Sequence, residues 1–325
     1  MDIKALLVIA AVMTPALQSN AQEAELVIAD PYILSEETLN LMDQASQGFK
    51  EAQSQLGIRY LMNDGIFSNQ QEGLRLLTES ANKGEVSAYQ NLGYVYREGL
   101  VVTRDASKAF FWYKKGAEAE DVESQVNLAT LYFTGQGVSK DFTQALKWFR
   151  VAALQGNAIA RRSLGYIYET GQGIEQNLIL AHQWYMVAAL AGDAVAQSRL
   201  GRMYFVGNGI SRNYNEARQW LILGAKQSDS MAHELLGDMF YRGLGVKNDL
   251  GLAYMWYSLA AAQNRTEAVD KKAALASQMS SKDFQYGNEQ MHQLFRVLSK
   301  TQNISGLDAP NTKLAIGVSR DIHKI

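Results

Sequence analysis

The chain repeats itself every 36 residues, and that period restricts its fold more than any feature of its composition. The pair Leu56-Gly57 returns as Leu92-Gly93, Leu128-Ala129, Leu164-Gly165, Leu200-Gly201 and Leu236-Gly237. Alanine opens five of the six units at Ala52, Ala88, Ala160, Ala196 and Ala232, with Ser124 in the remaining one. Past the leucine comes an aromatic: Tyr60, Tyr96, Tyr132, Tyr168, Tyr204 or Phe240. All five tryptophans fall on one repeat position, Trp112, Trp148, Trp184, Trp220 and Trp256, where the first unit has Leu76. Ala81, Ala117, Ala153, Ala189, Ala225 and Ala261 follow at a fixed distance. Self-similarity at this period marks a stacked array of one supersecondary unit.

The spacings convert into helices. At about 100° per residue, the alanine, leucine and aromatic of the first half-unit lie within one stripe about 80° wide. In the second half, Ala145, Trp148, Phe149, Ala152 and Ala153 recur at the spacing of another amphipathic helix. Small residues beside large rings let two antiparallel helices approach closely, and the glycine of Leu-Gly removes a side chain at the crossing. Gly135-Gln136-Gly137, Gly171-Gln172-Gly173, Gly207-Asn208-Gly209 and Gly243-Leu244-Gly245 supply turns, with Asp64-Gly65-Ile66 and Glu98-Gly99-Leu100 in the first two units. Asn69, Asp105, Asp141, Asn177, Asn213 and Asp249 share one position where each can N-cap the second helix. Gly84, Gly156, Gly192 and Asn264 stand where a left-handed C-cap belongs.

The pattern A-x-x-x-L-G-x-x-Y, then G-x-G-[VI], an Asp/Asn, and A-x-x-W-[YF]-x-x-[AG]-A-x-x-G, resembles the Sel-one-like repeat family, relatives of the tetratricopeptide repeat. The likeness runs from about Ala45 to Ala268. It implies an all-α, right-handed superhelical solenoid of six helix-turn-helix repeats with capping helices and a concave binding surface. It implies no catalytic activity. In that frame residues 22–51 form a lead-in and N-terminal cap, 52–267 the six repeats, 268–299 C-terminal capping helices and 300–325 a flexible tail. The N-terminal cap is expected as a helix within Glu36 to Phe49, and the C-terminal ones at Lys271 to Met279 and Ser281 to Leu298.

The first 21 residues read differently. Lys4, the apolar run Ala5 to Met13 and the small-residue triplet Ser19-Asn20-Ala21 have the form of a signal peptide cleaved after Ala21. The run is shorter than the ~20 residues a spanning helix needs. An exported protein is expected, periplasmic with secretion as the alternative, without membrane insertion.

Composition removes whole classes of function. With no cysteine, there is no disulfide, thiolate nucleophile, zinc-thiolate site or cysteine-linked lipid anchor. A net charge of -2 carries no basic footprint for nucleic acid. His182, His233, His292 and His323 lack metal-ligand spacing, and no Gly-x-Ser-x-Gly elbow is present. The G-x-G turns follow helices and lack the Lys-Ser/Thr of a phosphate loop. No catalytic residue, cofactor or metal is therefore expected.

Candidate binding residues come from the face opposite the core stripe of each first helix. They include Tyr94 and Arg97, Phe133, Arg162, Tyr166 and Glu169, Arg202 and Phe205, and Glu234, Asp238 and Tyr241. Aromatics and arginines are frequent there, and they are the side chains that dominate binding energy. Arg97, Arg162 and Arg202 toward the middle, with Glu234 and Asp238 at the far end, suggest a polarised groove whose middle suits an extended peptide with acidic and apolar groups. The partner expected is an envelope or secreted protein or peptide; a polysaccharide stacked on the same rings is the alternative.

Overall fold

The computed structural model describes residues 35–62 and 69–301, with side chains to residue 291. The leader, most of the lead-in, the Asp64-Gly65-Ile66 turn and nearly all of the tail lie outside the described residues. Every regular element described is an α-helix. A capping helix α1 (Glu36–Ser46) precedes six pairs: α2 (Lys50–Met62) with α3 (Gln70–Asn82), α4 (Val86–Glu98) with α5 (Ala106–Glu118), α6 (Val122–Thr134) with α7 (Phe142–Leu154), α8 (Ala158–Thr170) with α9 (Leu178–Leu190), α10 (Ala194–Val206) with α11 (Tyr214–Lys226), and α12 (Ser230–Arg242) with α13 (Leu250–Ala261). Helices α14 (Thr266–Ala276) and α15 (Ser281–Thr301) close the array against α13. Each helix packs on its partner and on the next unit, which gives the serial contacts of an α-solenoid.

Local chemistry stops and starts these helices at fixed positions. Each of Asn69, Asp105, Asp141, Asn177, Asn213 and Asp249 accepts a backbone N–H in the first turn of its second helix. The backbone N–H of the last five returns to the carbonyl of the preceding aromatic, Tyr96, Tyr132, Tyr168, Tyr204 or Phe240, at 2.9–3.0 Å. That closes each inter-helix turn. The periodic reading missed a second series: Asp121, Asn157, Asp193 and Asp229 cap the first helices in the same manner. The left-handed position after each second helix extends over seven sites, Gly48, Gly84, Glu120, Gly156, Gly192, Ser228 and Asn264, all at positive φ. Gly48 is the first of these, so α1 stands in the register of a second helix and acts as a half-unit. Among the capping helices, α14 begins at Thr266 and ends at Ala276, five residues earlier than expected at its start, because Ala268 continues the alanine register and is fully buried.

The tryptophans do not share one environment. Trp184 and Trp220 are buried, whereas Trp112, Trp148 and Trp256 are half-buried, lying over the core between one unit and the next. The most deeply buried large side chain of each second helix is instead its neighbour: Leu77, Tyr113, Phe149, Tyr185, Leu221 or Tyr257. This residue explains the Leu-Gly glycine. A Cβ on Gly93, Gly165 or Gly237 would sit 2.5 Å from ring carbons of Tyr113, Tyr185 or Tyr257. The rings lie directly on glycine backbone.

A polar staple joins units at the position after the opening alanine. Gln53 Nε2 donates to Ala45 O and Gln197 Nε2 to Ala189 O, and their Oε1 atoms accept from Lys83 and Gln227 respectively. His233 does the same work in the sixth unit: its Nε2 bonds Ala225 O and its Nδ1 accepts from Gln263 Nε2, each at 3.1 Å. These bonds satisfy carbonyls at helix ends that packing has dried.

Candidate functional site

First helices of successive units approach one another at three of the five junctions. Helix α2 touches α4, α4 touches α6 and α10 touches α12, whereas consecutive second helices make no comparable contact. The candidate residues all stand on first helices, and the structure divides them into two sets.

The first set is aromatic. Tyr94, Phe133, Tyr166, Phe205 and Tyr241 are all half-buried, one ring in each of units two to six. The Phe133 and Tyr166 rings meet edge to face with centroids 6.3 Å apart, Phe133 also meets Phe142 at 5.4 Å, and Phe205 meets Tyr214 at 5.8 Å. Such contacts hold the rings in place while leaving part of each open.

The second set is charged and is largely engaged within the chain. Glu169 is 6% exposed and takes Arg199 at 3.0 Å, Arg202, and the hydroxyl of Tyr185 at 2.7 Å. Glu234 and Asp238, 6% and 7% exposed, share Lys271 at 2.6 and 2.9 Å; Arg265 also pairs with Glu234, and Tyr257 donates to Asp238 at 2.7 Å. Arg162 pairs with Asp193 at 3.1 Å. Packing thus constrains these positions, contrary to the expectation from the wheel of one helix. The partners sit about one unit further along the chain, where a single-helix projection cannot see them.

Burial alone would raise the Glu234 carboxyl, but bonds from Lys271 and Arg265 outweigh it and hold the group below the usual range. Lys271 is depressed by burial and raised more strongly by the same two acids, so its net shift is upward. Burial drives the hydroxyls of Tyr185 and Tyr257 well above the ordinary tyrosine value, and bonds to Glu169 and Asp238 add to it. They remain donors across the physiological range.

Unit two breaks this scheme. Arg97, 33% exposed, stands where Glu169 stands two units later; its Nη1 donates to Asn127 Oδ1 and its Nε to Glu98 Oε1, each at 2.7 Å, and its guanidinium lies 5.3 Å from the Tyr94 ring centre. The Tyr113 hydroxyl beneath has no partner. Burial pushes it up to about 12, partly opposed by Arg97.

The sequence reading missed Tyr113, Tyr185, Tyr257, Arg199, Arg265 and Lys271. Their signal was present: the tyrosines follow Trp112, Trp184 and Trp256, in alternate units, while Leu77, Phe149 and Leu221 occupy the others. A doubled period therefore runs beneath the single one. No group of acids and histidines able to hold a metal occurs among the described residues, and none of their helices is long and apolar enough to cross a membrane.

The Sel1 repeat model matches residues 50–85, 86–121, 122–157, 158–193, 194–229 and 230–264, in phase with the six helix pairs. The chain belongs to the Sel1-repeat family. Among solved structures it is similar to c5321, a protective antigen of uropathogenic Escherichia coli with an SLR fold, at 28% identity and a TM-score of 0.69. That match covers 88% of this chain and 64% of the antigen's, so this chain spans somewhat under two thirds of the length of that one. A Sel1 repeat protein from Oxalobacter formigenes is 34% identical with a TM-score of 0.60, covering 69% of this chain and 94% of that one. No curated protein matches.

Proposed function

We propose that this Sel1-repeat chain is an exported, non-catalytic scaffold that holds a segment of a partner protein along its inner face. The observation that carries this reading is the ladder of half-buried rings from Tyr94 to Tyr241, one per unit, on the side where first helices crowd together. Rigid amphipathic rings give binding energy at low entropic cost, and concave solenoid surfaces are the usual binding faces of repeat proteins. Export is supported by the leader pattern ending at Ala21, with the periplasm as the proposed site and secretion as the alternative. Because most of the charged inner residues already pair with each other, the rings carry the affinity.

The test is co-isolation from an envelope extract with the mature chain and with a Phe133→Ala, Phe205→Ala, Tyr241→Ala variant. Loss of the same proteins from the variant, at unchanged helical content, supports the reading. Full retention would remove the ring ladder from consideration, and retention of polysaccharide alone would favour a glycan ligand on the same rings.

A further inference from the structure

Three tyrosines occupy one position in alternate units, and comparing them exposes an unfilled place. In unit four the Tyr185 ring lies on Gly165, and its hydroxyl reaches the inner face of α8, where Glu169 receives it beside Arg199 and Arg202. In unit six Tyr257 lies on Gly237 and meets Asp238 beside Lys271. Each hydroxyl ends on a carboxylate that a cation neutralises.

In unit two the Tyr113 ring lies on Gly93 in the same way, is 0% exposed, and reaches toward the inner face of α4 with no acceptor. The donor and the cation are both present, the latter as Arg97, but no carboxylate accepts from the hydroxyl; the nearby acid, Glu98, pairs with Arg97 Nε instead. Asn127 stands where Arg199 and Lys271 stand in the later units, so the chain carries no second cation there. A buried hydroxyl without a partner costs free energy that its two counterparts avoid.

We infer that Tyr113, Arg97 and Asn127, beside the Tyr94 ring, form a binding site for a carboxylate of a bound peptide, which completes the arrangement that Glu169 and Asp238 complete internally. This rests on the inner-face scaffold reading and specifies its partner chemistry. Arg97, whose charge reaches the Tyr113 hydroxyl, is held by single bonds to Asn127 and Glu98, so its guanidinium can turn and bond an incoming acid. Glu98 competes for Arg97, but at 43% exposure its hold is screened by water.

The experiment titrates acetylated tetrapeptides into the full chain at millimolar concentration while following the Arg97 side-chain N–H resonances by NMR. One peptide has a glutamate and an amidated end, one has glutamine and a free C-terminus, and one has neither carboxylate. Saturable shifts from either acidic peptide, and none from the neutral one, support the site and show whether a side chain or a terminus fills it. Tyr113→Phe, which removes only the hydroxyl, should weaken binding about tenfold, as loss of one bond to a charged group does. The pair Arg97→Glu with Asn127→Arg should abolish binding while keeping the fold, because it supplies the internal acid. Equal response to the neutral peptide, no response to either acid, or unchanged affinity in Tyr113→Phe would each overturn the assignment. So would a uronic-acid oligosaccharide that shifts Arg97 where the peptides do not. If partner capture through Phe133 and Phe205 persists while acid binding fails, only the carboxylate site falls; if acid binding holds while capture is untouched by the ring substitutions, the ladder reading falls instead.

Discussion

Units two and four bury the same tyrosine and end it differently. Both set a ring against the glycine of Leu-Gly, and both present the hydroxyl to the inner face. Unit four answers with Glu169 and two arginines from the next unit; unit two answers with a cation and an amide. The repeat therefore conserves a shape while leaving the polar terminus of each unit free to serve either unit-to-unit cohesion or a ligand.

Removing the acid is the largest test of that contrast. Glu169→Ala removes a buried carboxylate, leaves the buried Tyr185 hydroxyl without its acceptor and two part-exposed arginines without their partner, and should cost about 2 to 3 kcal/mol in denaturant unfolding. Arg97→Ala, at the matching position and one-third exposed, should cost under about 1 kcal/mol. Equal losses would mean the two junctions are alike.

Deleting the hydroxyl alone is gentler. Tyr185→Phe should lose about 1 to 2 kcal/mol because Glu169 loses a donor, whereas Tyr113→Phe should lose nothing or gain a few tenths of a kcal/mol. A comparable loss in both would show that Tyr113 is already satisfied.

The left-handed turns after the second helices give a smaller, opposite pair. Gly192 follows unit four and Glu120 holds the same place after unit two, at φ 92 and 66. Glutamate there bears the Cβ penalty that glycine escapes, so Glu120→Gly should stabilise by about 1 kcal/mol and Gly192→Ala should destabilise by about as much. A Cβ at Gly192 meets nothing within 4 Å, so backbone conformation is the whole of that cost. Thermal melts of the two variants measure it.

Periodicity revealed the helix pairs and their caps because each depends on residues within one unit. Asn177 announces an N-cap by standing just ahead of its helix, and Trp184 announces a buried stripe by its spacing from Ala181 and Ala188. The ion pairs were hidden for the opposite reason. Glu169 looks solvated on the wheel of α8 and becomes buried only when α10 brings Arg199 and Arg202 against it. Tyr113 was hidden behind its neighbour: Trp112 drew attention by its rarity, yet the tyrosine is the residue the glycine accommodates. Contacts between units need a spacing of about one repeat, and the sequence gives no separate sign of which such spacings are used.

The smallest effect concerns the staple position, where unit six carries His233 in place of the glutamine of units one, three and five. Burial lowers the His233 imidazole below its ordinary value, with the Ala225 carbonyl and Asp229 partly opposing. The unfolded chain thus gains a proton near its ordinary pKa of about 6.5 while the folded chain resists it. Stability from this group is whole above that pH and declines as pH falls below it. Glutamine can donate to Ala225 O and accept from Gln263 as Gln197 does with Ala189 and Gln227, without titrating. His233→Gln should therefore melt within a few degrees of the parent at pH 7.5 and lose less on acidification to pH 5. His182, also lowered by burial, remains to give the residual slope. An unchanged slope would place the acid sensitivity in His182 and the carboxylate junctions, and would leave the histidine staple as a geometric substitute for glutamine and nothing more.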